Sequence, residues 1–275
     1  KNEVGMFCAW LGMSLIHILK GSSMPGNFAL RSSAVLIPSL FLTQACLAQL
    51  ATSPAPEAAP SPLSVNVGLV SLYKYRGQDQ YVSDSGKTRA VRPALQGGLD
   101  YSFANGFYLG NWNSSVRLNK DARVEMDFYG GYRTSTGPVN WDFGLLRYQY
   151  PGDARLNTTE VYAAGSWEEL TLKYSHTVSR RYFGLDGGRG TGYVNLAWSH
   201  PLGSGLGLQA ALGHTFLPAQ VRAGGLSDYS DYSLGLAWEF QPHLTLTAGI
   251  AGADRRTSWG DINRPRAIAG LKAVF

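Results

Sequence analysis

The feature that most constrains the fold is an alternation of apolar and polar residues that recurs in about twelve short runs along the chain. Residues 124–128 (VEMDF) show it most clearly, because apolar and acidic side chains alternate without exception. Residues 206–212, 234–240 and 244–250 repeat the same period. Successive side chains of a β-strand point to opposite faces, so this period predicts strands with one apolar and one polar face.

Strands of this kind suit a bilayer better than water. Charged residues make up only 16% of the chain, whereas ordinary soluble domains carry about 25%. No window after Gln49 holds the roughly eighteen apolar residues that a membrane helix needs. The sequence therefore predicts an all-β fold, a closed antiparallel transmembrane β-barrel of about twelve strands with up-and-down topology.

The connections between the runs alternate between short and long, as they do in bacterial outer-membrane barrels. The short ones fall at residues 104–106, 134–138, 168–169, 201–205 and 241–242. The longer, polar ones fall at residues 76–90, 118–123, 151–157, 179–190, 217–228 and 254–264. We therefore expect the barrel in the cell outer membrane of a Gram-negative bacterium, with short turns and both termini on the periplasmic side.

The segment before the barrel has the features of a secretory leader. Arg31 precedes an apolar run at 32–42, and small residues follow up to Ala48. A lipidated Cys46 is a second interpretation of the same segment. We divide the chain into a non-native upstream extension at 1–23, a signal peptide at 24–48, a Pro/Ala-rich spacer at 49–62 and the outer-membrane β-barrel at 63–275.

Composition excludes several functions. The two cysteines, Cys8 and Cys46, both lie in the part that we expect to be removed, so the mature chain has no thiol for catalysis or metal binding. The net charge is +5, but the basic residues are scattered and no helix collects them, which excludes a nucleic-acid partner. We expect no cofactor and no metal site.

Charged residues on the polar strand faces are predicted to point into the lumen. A basic side chain that faces lipid at mid-membrane costs about 2–4 kcal/mol. The lumen-lining candidates are Arg92, Gln96, Asp100, Glu125, Asp127, Arg133, Asp142, Glu160, Lys173, Gln209, Glu239 and Lys272. They either select solutes along a polar pathway or pair with one another and fill a narrow barrel; the sequence leaves both open.

Aromatic residues gather at the predicted strand ends, where they are expected to form interfacial girdles. The pairs are Tyr73 and Tyr75, Tyr101 and Phe103, Tyr148 and Tyr150, and Trp238 and Phe240. Arginines at 180–181, 255–256 and 264 lie in predicted outer loops and suit lipopolysaccharide phosphates. Solvated loops are an equal alternative.

Several ordered stretches resemble a proteobacterial family of conserved hypothetical proteins, the TorF-type porins. The resemblance begins with residues 64–71 (SVNVGLVS) and 75–77 (YRG). It continues through residues 96–101, 106–112, 127–132, 148–152 and 159–163, and covers roughly 63–275. It implies an outer-membrane barrel and a channel, without an established substrate or catalytic residues. The terminal Phe275 resembles the signal that the barrel assembly machinery reads.

The resulting hypothesis is a passive diffusion channel for small polar or anionic solutes. Its partners are expected to be outer-membrane lipid and lipopolysaccharide, the assembly machinery and the solutes themselves. The alternative is a closed structural or surface-interaction barrel without conduction. A third is a hydrolase with a serine and a histidine, but no serine shares a strand face with a histidine at two-residue spacing. We therefore expect no enzyme.

Overall fold

The computed structural model describes residues 61–83 and 87–275. All of the described residues belong to one compact unit. The expected upstream extension, the signal peptide and most of the spacer lie outside the described residues, so those boundaries stay predictions.

Sixteen strands occur in the described residues. In chain order they are β1 (Leu63–Val70), β2 (Lys74–Tyr75), β3 (Gln78–Asp79), β4 (Ala94–Ser102), β5 (Phe107–Ser115), β6 (Val124–Thr136), β7 (Val139–Gln149), β8 (Thr158–Trp167), β9 (Leu170–Thr177), β10 (Arg181–Tyr182), β11 (Leu185–Asp186), β12 (Gly192–Gly203), β13 (Leu206–Phe216), β14 (Tyr229–Gln241), β15 (Leu244–Ala253) and β16 (Arg266–Val274).

Twelve of these strands form a closed antiparallel barrel. Each barrel strand pairs with the barrel strand before it and the one after it along the chain. The barrel closes where β1 pairs with β16, with Asn66 opposite Val274. The other edge of β1 pairs with β4, with Leu63 opposite Tyr101. The prediction of a closed twelve-stranded barrel with up-and-down topology is confirmed.

The connections sort by length as the sequence predicts. Two to four residues join the strands at one end of the barrel, at 103–106, 137–138, 168–169, 204–205 and 242–243. At the other end the connections are longer, at 71–93, 116–123, 150–157, 178–191, 217–228 and 254–265.

The long connections hold the remaining secondary structure. The strands β2 and β3 form one small hairpin, and β10 and β11 form another. Two short helices, α1 (Ala219–Ala223) and α2 (Arg256–Trp259), and two 3-10 turns at 154–156 and 260–263 complete the fold. Among the described residues, none of the helices has the length and apolar character to cross a membrane.

Large apolar side chains cover the outside of the barrel. Leu95, Leu212 and Leu234 are more than half exposed, and many other leucines, valines and phenylalanines on the same outward rows are exposed as well. Their neighbours along each strand point inward and are buried or half-buried. The alternation in the sequence therefore separates an apolar exterior from a polar interior.

The prediction of aromatic girdles is only partly correct. Tyr101, Phe103 and Trp238 are exposed on the outside. The other two predicted pairs are wrong, because they lie in the barrel interior. Residues 73 and 75 follow the end of β1 and belong to the β2–β3 segment, and residue 148 occupies an inward position of β7 with residue 150 just beyond that strand.

The barrel interior as the candidate functional site

The structure places the charged residues predicted to line the lumen on the inward rows. Glu125, Asp127, Asp142, Glu160 and Lys173 are each more than nine-tenths buried. Of the remaining candidates, Gln209 is buried and Arg92, Gln96, Asp100, Arg133, Glu239 and Lys272 are half-buried. Arg92 precedes β4 in a long connection, and Glu239 lies near a short turn. The candidates therefore span both ends of the interior.

A segment of the first long connection also enters the barrel. We call residues 73–79 the inward hairpin, because they carry β2 and β3 and are mostly buried. On one side Tyr73 Oη donates a hydrogen bond of 2.7 Å to Glu125 on β6. On the other side Asp79 pairs with Arg266 on β16 at 3.3 Å. The hairpin therefore extends across the interior from β6 to β16.

The tip of the inward hairpin requires unusual backbone angles. Arg76 and Gly77 both have positive φ, 47° and 73°, as in the tight type I′ turns that suit two-residue hairpins. A Cβ on Gly77 would lie 2.5 Å from the carbonyl oxygen of Gly252 and 2.6 Å from the Cβ of Asp231. The absence of a side chain lets the tip contact β14 and β15 directly.

Buried ion pairs hold the hairpin. The guanidinium of Arg76 donates two hydrogen bonds to the Glu160 carboxylate on β8, at 3.0 and 2.7 Å. The ring of Tyr193 lies 4.1 Å from the guanidinium carbon. Lys74 pairs with Asp79 at 2.7 Å, and both side chains are almost fully buried. Each of these charges would be costly to bury without its partner.

Aromatic side chains fill the half of the interior formed by β5 to β8. Tyr150 donates a hydrogen bond of 2.5 Å to Glu125, and Tyr129 donates one of 2.5 Å to Asp100. The residues that form this buried aromatic wall are Tyr108, Trp112, Tyr129, Tyr148, Tyr150 and Tyr162. Phenol hydroxyls therefore replace water around several of the carboxylates.

The opposite wall is formed by small residues and leaves open space. The inward positions of β13 to β15 include Ala211, Gly213, Ser233, Gly235, Thr247, Gly249 and Ala251. Beside them lies an open cavity. Its polar lining includes Lys74, Asn195, Gln209 and Asp231. The interior is therefore filled on one side and open on the other.

Comparison with known proteins identifies a family. Residues 54–275 match a family described as bacterial protein of unknown function, Gcw_chp. The chain belongs to this family. No curated protein matches the chain. The family description contains no porin name, so the TorF-type resemblance stays a prediction.

Solved structures of similar fold are porins. The KdgM porin is 10% identical, with 77% of this chain and 99% of that chain covered and a TM-score of 0.51. The KdgM porin in complex with disordered oligogalacturonate gives the same values. The NanC porin is 12% identical, with 77% and 98% covered and a TM-score of 0.49. At 10% identity the similarity to the KdgM porin shows the fold alone.

Sequence reasoning missed part of the interior. It placed Arg76 in an outer loop and did not single out Lys74 or Asp79. It also missed Asp231, because β14 begins at Tyr229, before the apolar run that marked the strand. Two features of the sequence could have revealed these residues. The Arg76-Gly77 pair favours a tight turn, and Asp231 is an even number of residues from Glu239, so both side chains lie on the inward face of β14.

The sequence left open whether the inward charges select solutes along a polar pathway or pair and fill the barrel, and the interior contains features of both. Arg133 and Asp142 approach to 3.7 Å, and Arg76 pairs with Glu160, as expected if charges pair and fill the barrel. The cavity beside β13 to β15, with Lys74, Asn195, Gln209 and Asp231 in its lining, provides the open space expected of a solute pathway.

A serine hydrolase would need a histidine base beside its serine, and the structure shows the contacts of these side chains. His200 Nδ1 lies 2.9 Å from Glu169, and Ser179 donates its hydroxyl to the carbonyl of Arg181. His214 Nδ1 lies 2.9 Å from Ser230 Oγ on the neighbouring strand. This contact could not be predicted from the sequence, because it depends on how β13 and β14 are aligned. A catalytic base also needs a third group that orients it. The ring of His214 packs against the apolar ring of Phe216, which cannot accept a hydrogen bond in that role.

Over residues 61–83 and 87–275, no group of three or more histidine, cysteine, aspartate or glutamate side chains could hold a metal ion.

Several arginines of the long connections pair with nearby acids at the surface. Arg181 and Asp186 lie 2.8 Å apart, and Arg256 and Asp261 lie 3.5 Å apart. In the 150–157 connection, a hydrogen bond from Arg155 holds the pKa of Asp153 well below its usual range. Exposed pairs of this kind contribute little stability.

Proposed function

We propose that this protein is an outer-membrane channel of TorF type through which small polar or anionic solutes diffuse passively. The observation that carries the proposal is a closed barrel with an apolar exterior and an open cavity inside that has several polar residues in its lining. A closed barrel pairs its strand amides internally, which is what a bilayer requires of a spanning sheet. The similar porin folds, one solved with oligogalacturonate, fit a role in solute passage.

The remaining expectations about its setting belong to this proposal. Residues 24–48 direct export, and Phe275 serves as the assembly signal. The short turns face the periplasm, and the arginine-containing long connections contact lipopolysaccharide at the cell surface. The chain is not an enzyme in this proposal, since solute passage needs no catalytic group.

The closed structural barrel is the second candidate, and one observation favours it. The inward hairpin and the aromatic wall together occupy a large part of the lumen. A twelve-stranded barrel is narrow before any segment enters it. Conduction therefore decides between the two candidates.

We expect the refolded full-length protein to produce small, discrete current steps in planar lipid bilayers. The cavity wall of small residues provides the pathway, and the inward hairpin keeps the steps small. Protein denatured before addition is the control and should give no steps. Repeated insertions of correctly folded barrel without any current step would refute the channel and favour the closed structural barrel.

Leu234→Arg is expected to destabilise the barrel in lipid vesicles by about 2–4 kcal/mol, because it places a charge on the lipid face near the middle of β14. Leu234 is 51% exposed in the structure. The matched control is Thr134→Arg, an outward position close to a short turn, with an expected cost of about 0–1 kcal/mol. Denaturant unfolding in vesicles measures both. Equal costs would contradict the membrane-spanning orientation.

A further inference from the structure

Three residues that line the cavity carry oxygen atoms that have no hydrogen-bond partner within residues 61–83 and 87–275. They are Asn195, Gln209 and Asp231, whose exposed fractions are 1%, 2% and 8%. The atoms are Asn195 Oδ1, Gln209 Oε1 and Asp231 Oδ2. Buried polar atoms are almost always paired, because an unpaired one costs its full desolvation penalty. All three atoms are acceptors, so a molecule that binds to them must supply hydrogen-bond donors.

Two of these acceptors are fixed by their neighbours. Asn195 donates its amide to the carbonyl of Leu212 and to Tyr193 Oη, each at 3.3 Å. A carbonyl can only accept, so the amide nitrogen must face Leu212 and Asn195 Oδ1 is the atom left over. Tyr193 Oη donates in turn to Asp231 Oδ1 at 3.2 Å. The unpaired oxygens therefore have defined positions.

The fold keeps space around these oxygens. Asn195 lies opposite Gly213 on β13, and Gly213 lies opposite Asp231 on β14. A Cβ on Gly213 would overlap Tyr193 Oη and Asp231 Oδ2. The glycine between the two polar residues therefore makes their arrangement possible.

The two nearby cations are paired with buried carboxylates. Lys74 Nζ forms an ion pair with Asp79 at 2.7 Å and donates hydrogen bonds to the carbonyls of Gly77 and Ile262, at 2.7 and 3.1 Å. Both terminal nitrogens of Arg76 donate to Glu160, and its Nε has no hydrogen-bond partner among the described residues. An anionic molecule in the cavity would meet the Asp231 carboxylate and the amide oxygens of Asn195 and Gln209, whereas the charges of Lys74 and Arg76 are already balanced by Asp79 and Glu160.

We propose that the cavity is a binding site for a small hydroxyl-rich solute, neutral or carrying an ammonium group, of the sugar or amino-sugar class. Its hydroxyl or ammonium hydrogens would satisfy Asn195, Gln209 and Asp231. Its C–H faces would contact the small residues of β13 to β15, and Ser233 and Thr247 add hydroxyls to the lining. The inference rests on the proposed channel. It restricts the proposed range of polar or anionic solutes to neutral or ammonium-carrying ones.

Ligand-observed NMR titration of the folded full-length protein in detergent tests the site with three sugars of equal ring size: glucose, glucosamine and glucuronate. We expect saturable binding of glucose and glucosamine, and at least tenfold weaker binding of glucuronate. Gln209→Met, which keeps length but removes the acceptor, and Asp231→Asn should each weaken glucosamine binding about tenfold. Asp186→Asn, at an exposed acid in a long connection, is the control and should bind like the parent.

The outcomes separate this site from channel function, because currents are recorded on the same samples. If glucosamine binds and the two variants weaken this binding, the site is supported even when no current is seen. In that case only the proposed channel function is refuted. Currents without saturable binding of glucose or glucosamine overturn the site and leave the channel. Equal binding of all three sugars, or variants that bind like the parent, also overturns it.

Discussion

Replacing residues 73–80 with a short Gly-Ser linker is expected to raise the single-channel conductance several-fold. The inward hairpin crosses the lumen from β6 to β16, and a twelve-stranded barrel has little cross-section to spare. The barrel itself should persist, because β2 and β3 pair only with each other and take no part in its hydrogen-bonded ladder. Planar-bilayer recording measures the change in step size.

The same replacement should make the channel more selective for cations. It removes Lys74, Arg76 and Asp79, a net loss of one positive charge. It also leaves Glu125 and Glu160 without their hairpin partners in the widened lumen. Rings of carboxylates favour cations in a pore. The reversal potential in a salt gradient should therefore shift toward that of the cation.

The control for this experiment exchanges residues 222–225, an exposed stretch of another long connection, for the same linker. Its conductance and selectivity should match those of the parent. A hairpin replacement that folds into a barrel but conducts like the parent would show that the hairpin does not limit the pathway. The proposed role of this segment would then be wrong.

The barrel could be predicted from sequence because its determinants are local. Alternation fixes which residues of each strand share a face, and the order of short and long connections fixes which ends they join. Glu125 and Asp127 could thus be assigned to the interior without knowledge of their neighbours. The alternation also places Tyr148 on the inward face of β7. The prediction of an interfacial position was wrong because it relied on the preference of aromatic residues at strand ends for the interfaces.

The inward hairpin could not be predicted in the same way. Its strands have two residues each, too few to show a period. Its charges are stabilised by residues far away in the chain, since Arg76 and Glu160 are separated by 84 positions. The unpaired oxygens of Asn195 and Asp231 depend on the register of three strands and on the glycine between them. Such contacts join residues far apart in the chain, so they can be recognised only from the folded barrel.

Glu160→Gln is expected to lower the free energy of unfolding by about 3–5 kcal/mol, because it leaves the Arg76 guanidinium buried without a countercharge. Both side chains are at most 3% exposed. The matched control is Glu169→Gln, which disturbs an exposed contact with His200 and should cost about 1 kcal/mol or less. Denaturant unfolding in lipid vesicles measures both variants.

A double variant distinguishes a buried pair from two independent contacts. Arg76→Leu combined with Glu160→Leu removes both charges, so it should cost less than the sum of the two single substitutions. Additive costs would mean that the pair is not coupled. Because this pair also ties the inward hairpin to β8, every variant that breaks it should raise the conductance as well. Reduced stability with unchanged conductance would show that other contacts, such as that between Asp79 and Arg266, are sufficient to hold the hairpin across the lumen.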